Sequence, residues 1–249
     1  MPNWIETHIR LNGKTEDVKA VEKSIVITDE YIERCNNVKF NLCEHVKKSP
    51  CFDKEAEKTC KGCGHDGHCP LLSTDTTHVE RQRRAGDYGR GKVDELNKGK
   101  VSFDILLPQP DNIYLGGTNK QIKELNDRYG IVDWYEWNIA NWGTKWDANP
   151  DQSYVEWFDD NTLLITIHTA WETPKPWLER LAAECKKHNV VMDGEFADED
   201  FGGTMGEFHT NDDEDDDFTI NYDSMNAELF TSVWGWNPPE VADYNGDEI

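Results

Sequence analysis

The residue types most able to do chemistry lie close together between Cys35 and Cys69, where six of the seven cysteines fall. Cys60-Lys61-Gly62-Cys63 is a CxxC pair, with His65, His68 and Cys69 just behind it and Cys43 and Cys51 upstream. A CxxC turn lets two thiolates approach one ion, and Zn²⁺ takes four such ligands in a tetrahedron. Gly62, Gly64 and Gly67 permit the tight turns of a metal knuckle. The expected ligand set is Cys51, Cys60, Cys63 and Cys69, with Cys43, His65 or His68 as alternates. The zinc would be structural, since few apolar groups are present to fold this stretch. An iron–sulfur cluster, disulfides or plain thiols are the competing readings of the same cysteines.

Next to the knuckle runs a basic strip, Arg81, Arg83, Arg84 and Arg90 with Lys92, interleaved with Tyr88. A knuckle beside arginines is one form of nucleic-acid interface. Glu80 and Asp87 interrupt it, so a solvated loop or a segment facing the chain's own acidic part is favoured. Far downstream, Asp212, Asp213, Glu214, Asp215, Asp216 and Asp217 form an acidic run without the sixth-position glycine of an EF-hand loop. Trp234 and Trp236, set among Gly235 and Pro238-Pro239, read as a docked segment or an exposed recognition element. With the acidic run they form the candidate partner-binding set. His168 sits mid-strand with Thr166, Glu172 and Glu136 as candidate neighbours, but no nucleophile or phosphate-binding loop accompanies it, so no catalytic residue is assigned.

The elements that must carry these groups follow from hydrophobic periodicity. Trp4–Leu11 alternates as a strand closed by Asn12-Gly13, and Thr15 with Glu16-Asp17 opens a helix. Val101–Leu107 reads as a second strand, and residues 118–142 as helical, with Trp134, Trp137, Trp142 and Trp146 near one face. Tyr154–Phe158 and Thr162–Thr169 suggest a hairpin around Asp159-Asp160-Asn161. A helix follows Pro174 or Pro176, Val190–Phe196 is a strand, and Met205–His209 with Phe218–Tyr222 suggests a last hairpin. The expected class is α+β, a largely antiparallel sheet with helices on one face.

Charge divides the chain. Of 249 residues, 49 are acidic and 26 basic, a net charge of −23. Residues 1–100 are nearly neutral, and all 18 carboxylates after Lys187 lie in a stretch with no Lys or Arg. Such a field repels DNA, RNA and anionic membrane and attracts basic protein surfaces. Ten tryptophans argue against wholesale disorder. No apolar run approaches the ~18 residues of a membrane span, and the first residues lack a signal-peptide pattern. The expectation is a cytoplasmic protein.

Met1–Trp4, Phe103–Pro110, Asn141–Ala148, Thr169-Ala170-Trp171 with Pro174, and Phe201-Gly202-Gly203 occur together in this order. Jointly these segments resemble the YubB ferredoxin-like family of bacteriophage and plasmid proteins. The resemblance covers residues 1–30 and about 100–205. It implies a ferredoxin-like core and no established reaction. The chain then divides into a core of 1–34 and 99–205, a cysteine-rich insertion of 35–98, and an acidic extension of 206–249. The expected function is a non-enzymatic binding protein acting in the host cell. It would engage or inhibit a defence or nucleic-acid-processing complex with a basic surface. A nucleic-acid-binding module and an enzyme of unknown type are the alternatives.

Overall fold

The computed structural model describes residues 3–37, 98–109, 113–114, 132–211 and 218–238. In chain order these form β1 (Trp4–Asn12), α1 (Thr15–Lys23), α2 (Asp29–Asn37) and the single-turn α3 (Phe103–Leu106). A short parallel pair, β2 (Ile113–Tyr114) and β3 (Val132–Asp133), precedes α4 (Trp134–Asn141). Then come β4 (Tyr154–Trp157), β5 (Thr162–Ala170), α5 (Lys175–Lys187), β6 (Val191–Asp198), β7 (Met205–Thr210), β8 (Phe218–Tyr222) and α6 (Ala227–Trp234). Six strands make one antiparallel sheet in the order β4-β5-β1-β6-β7-β8. The fold is α+β. No helix among the described residues is long and apolar enough to cross a membrane.

Strand alternation decides which side of the sheet each residue faces. Ile5, Thr7, Ile9 and Leu11 of β1 point to one face, where they are buried. There they meet Val18 and Val21 of α1 and Trp177, Leu178, Leu181 and Cys185 of α5. Burial pushes the Cys185 thiol up to about 12, so it behaves as a small apolar group rather than a nucleophile. The expectation of helices on one face holds for α1 and α5 but not for α6. That helix lays Leu229, Phe230 and Val233 on Ala197 and Met205, which point to the opposite face. Asn226 caps it by accepting from the Leu229 N–H at 3.0 Å, and Gly235 ends it at φ 72°.

The segment expected as a strand over Val101–Leu107 turns out differently. Val101 makes an isolated bridge to Val26, and Phe103–Leu106 is a helical turn. The cause is Asp147. Its carboxylate accepts the Phe103 N–H at 2.6 Å and the Ala148 N–H at 2.8 Å through Oδ1, and the Ser102 hydroxyl at 2.7 Å through Oδ2. A helix start whose N–H is taken by a buried carboxylate outcompetes strand pairing, and Phe103 is fully buried against Trp142 and Trp177. Asp104 extends the same buried network, accepting from Tyr31 Oη at 2.7 Å and the Gln109 N–H at 2.8 Å. Gln109 Nε2 donates to Asn138 Oδ1, and Asn138 Nδ2 donates to Lys145 O at 2.9 Å. Of the helix expected over 118–142, the described part is α4; residues 115–131 lie outside the described residues. Trp134 and Trp142 are buried and Trp137 packs edge-on against Trp142, so this part of the tryptophan series serves packing. Gly143 turns the chain at φ 85° directly against Pro176, a place a larger residue would not fit.

The segment assigned to an acidic extension from residue 206 begins inside β7. Through β8 and α6 it continues the sheet and its second layer. The cysteine-rich insertion lies outside the described residues over 38–97.

Candidate acidic sheet groove

The face of β1 opposite the main core carries Glu6, His8 and Arg10 at every second position. Antiparallel register sets their neighbours. Glu6 lies beside His168 of β5, His8 beside Thr166 and Glu195, and Arg10 beside Asp193. Farther across, Glu195 faces Glu207 and Asp193 faces His209 on β7. These residues come from segments up to about two hundred positions apart in sequence, and the sheet alone assembles them.

Glu6 is the hub. Its Oε1 accepts from His8 Nε2 at 2.7 Å and its Oε2 accepts from His168 Nε2 at 2.9 Å. Burial opposes ionisation of Glu6, but the hydrogen bonds and charges of His168 and His8 outweigh it and pull the carboxyl down to about 2. His8 lies between two carboxylates, Glu195 at 3.6 Å from Nδ1 and Glu6 at Nε2. Glu195 and Glu6 together raise the His8 imidazolium to about 9 against the desolvation that would lower it. Glu195 is held low in turn by His8, against burial, with help from Ser232 of α6, whose hydroxyl donates at 2.7 Å. His168 Nδ1 is buried and has no hydrogen-bond partner among the described residues. Trp234 closes over the ring edge-to-face at 5.8 Å, and its own Nε1 donates to Asp198 O at 3.0 Å.

Beyond α6 the same face is open. A groove of about 620 Å³ lies there, lined by His8, Arg10, Tyr154, Glu156, Asp193 and Glu207 among others. Arg10 is already paired with Asp193 at 2.7 Å, which raises its pKa, and His8 is paired as above. Glu156 and Glu207 add carboxylates with no ion pair to a cation in the groove, so its field is negative. Tyr154 offers an exposed ring at its edge strand.

Of the partner-binding, metal and basic-strip residues named from sequence, Trp234 and Trp236 lie among the described ones. Trp234 is an internal seal on His168, while Trp236 stacks edge-on with Phe230 at 4.7 Å and stays 46% exposed. Cys43, Cys51, Cys60, Cys63, Cys69, His65 and His68 lie outside the described residues. The same holds for Arg81, Arg83, Arg84, Arg90 and Asp212–Asp217. Among the described residues no group of three or more His, Cys, Asp or Glu is placed to hold a metal ion. The groove residues were not singled out from sequence. The available signal was the Glu6, His8, Arg10 alternation, which puts three charged or titratable groups on one side of a strand whose other side is apolar.

No family model matches the sequence, and a search of curated proteins finds no match. Among solved structures the chain is similar to the crystal structure of a protein api92 from Yersinia pseudotuberculosis, family-model DUF1281. The two share 10% identity at a TM-score of 0.48, covering 89% of this chain and 98% of that one.

Proposed function

We propose that this chain is a non-enzymatic binding protein, encoded by a phage or plasmid and acting in the host cytoplasm. It would engage a host protein or complex that carries a basic surface. The observation that carries this reading is the open, acidic half of the sheet face. There Glu156, Asp193, Glu195 and Glu207 outnumber His8 and Arg10, and both cations are already paired. A groove of this sign fits Lys and Arg side chains, and it competes for surfaces that otherwise receive phosphates. Defence and nucleic-acid-processing complexes present such surfaces. Against an enzyme stands the chemistry of the cluster: both His8 nitrogens face carboxylates, and the Ser232 hydroxyl donates to Glu195 rather than to an imidazole.

The strand order supports a ferredoxin-like core. β4-β5-β1-β6, with α1 and α5 between strands on one face, follows the βαββαβ arrangement, to which β7 and β8 add a hairpin. The insertion of 35–98 would be pinned by zinc at Cys51, Cys60, Cys63 and Cys69. Metal analysis of the purified chain should find about one zinc per chain, as four ligands bind one ion. A folded, metal-free protein overturns that assignment.

The groove is tested with an arginine-rich peptide titrated calorimetrically at low and high salt. Binding should weaken steeply with salt, and Glu156→Gln with Glu207→Gln should reduce affinity roughly tenfold. Unchanged affinity in that double variant, or retention of duplex DNA in its place, overturns the reading.

A further inference from the structure

Away from the groove, where β1 begins and β5 ends, Lys145 carries its ammonium over two indoles. Its Nζ lies 4.6 Å from the Trp146 ring centroid and 4.5 Å from that of Trp171. The two rings are 6.4 Å apart and 29° from parallel, and Trp4 flanks Trp146 at 6.5 Å. In a chain with 49 acidic residues, Lys145 Nζ forms no ion pair with a carboxylate among the described residues. Its cation is satisfied by aromatic faces instead.

The backbone at this place is held against its preference. Trp171 is left-handed at φ 73°, an outlier for a bulky residue, yet its indole stays 43% exposed. Asparagine or glycine would make the same turn without strain, so the turn does not explain the ring. The ring is explained by what it faces, which is a cation.

Two indoles converging on one positive group are the recognition element of a cation–π site. The surroundings carry the matching sign. Glu199 accepts from the Trp4 N–H at 3.1 Å, and Asp200 accepts from Asn3 Nδ2 at 2.8 Å. The Asn3 carbonyl accepts the Trp171 N–H at 2.9 Å, and Glu172 follows directly. That setting favours a cation and disfavours a phosphate-bearing ligand. We propose that Trp146 and Trp171 form a receptor for an arginine side chain of a protein partner, and that Lys145 occupies it as a removable placeholder in the free protein. Arginine suits it better than lysine, because the guanidinium is planar, stacks on aromatic faces and is less strongly hydrated. Lys145 is half-buried on a flexible stem, so its ammonium leaves the site without moving the backbone carbonyl that Asn138 holds.

The probe is N-acetylarginine amide, titrated into the full chain and followed through the indole N–H resonances of Trp146 and Trp171. Saturable shifts at these two resonances are expected, and N-acetyllysine amide should bind more weakly. Lys145→Met should tighten the arginine probe by about threefold or more, because an internal competitor has gone. Trp171→Leu should abolish the shift at Trp146, with the other indole resonances reporting an intact fold. Glu156→Gln with Glu207→Gln should leave the probe's affinity unchanged, which separates this site from the groove. The proposal is overturned if Lys145→Met shows no saturable shift or binds the probe more weakly than the parent. Adenosine monophosphate shifting the same resonances more strongly, with Lys145→Met weakening it, replaces the arginine receptor with a nucleotide site.

Discussion

Replacing Asp147 with alanine should cost about 3–5 kcal/mol of stability, because three buried donors lose a charged acceptor at once. The Phe103 and Ala148 N–H groups and the Ser102 hydroxyl all end on this carboxylate, and it is only 6% exposed. Water entering the vacated space recovers part of the loss, which is why the figure lies below the sum of three charged hydrogen bonds. For a domain of this size the change corresponds to a fall of about 6–20 °C in the melting temperature. Asp147→Asn is the informative companion. Its carbonyl oxygen still accepts both N–H groups, and the Ser102 hydroxyl can turn to accept from the new amide, so most of the stability should return. Urea denaturation of both variants checks this. A loss below about 1 kcal/mol for the alanine variant would show that Asp147 does not hold the turn.

That same carboxylate explains where sequence reading ended. Val101–Leu107 has strand composition, and its local preference is overridden by an acceptor more than forty residues away. Elements whose signal is local came through: β1, α1, the β4–β5 hairpin, α5, β6 and the β7–β8 pairing all follow from alternation or from a helical stripe. α6 escaped because Trp234-Gly235-Trp236-Asn237-Pro238 looks irregular, whereas Gly235 and the residues after it end a helix that Asn226 starts. α2 escaped because its apolar content reduces to a small cluster, Tyr31 and Ile32 against Ile27 and Ile105.

The site was less legible than the fold for a related reason. His168 was visible as a mid-strand histidine, but its partner Glu6 is more than 160 residues away and is brought beside it by the β1–β5 register. No spacing rule links the two. Charge counting pointed toward the acidic run at 212–217, while the described acidic groove is spread over β1, β4, β6 and β7 and leaves no run in the sequence. A field built by strand register is invisible to composition even when its total is known.

A large pH effect should come from Glu6. In the folded chain its carboxyl titrates near 2 instead of the ordinary 4.5, so it adds stability at every pH above 4.5 and loses it as pH falls through 2. His8 has the opposite sign. Raised from 6.5 to about 9, it contributes fully below pH 6.5 and loses that contribution as pH rises through 9. The cluster is therefore strongest between about pH 4.5 and 6.5. Glu6→Gln removes the hub that joins His8 to His168, and should cost about 2–3 kcal/mol within that window, given a carboxyl only 14% exposed. The deficit should shrink on the acid side, where the parent loses the same interaction. Glu195 alone then faces His8 in the variant, so the imidazole should titrate lower than about 9. Heteronuclear NMR titration of the His8 ring reads this directly. A parent midpoint at 6.5, or one that Glu6→Gln leaves unmoved, would show that the Glu6 carboxylate does not organise this face of the sheet.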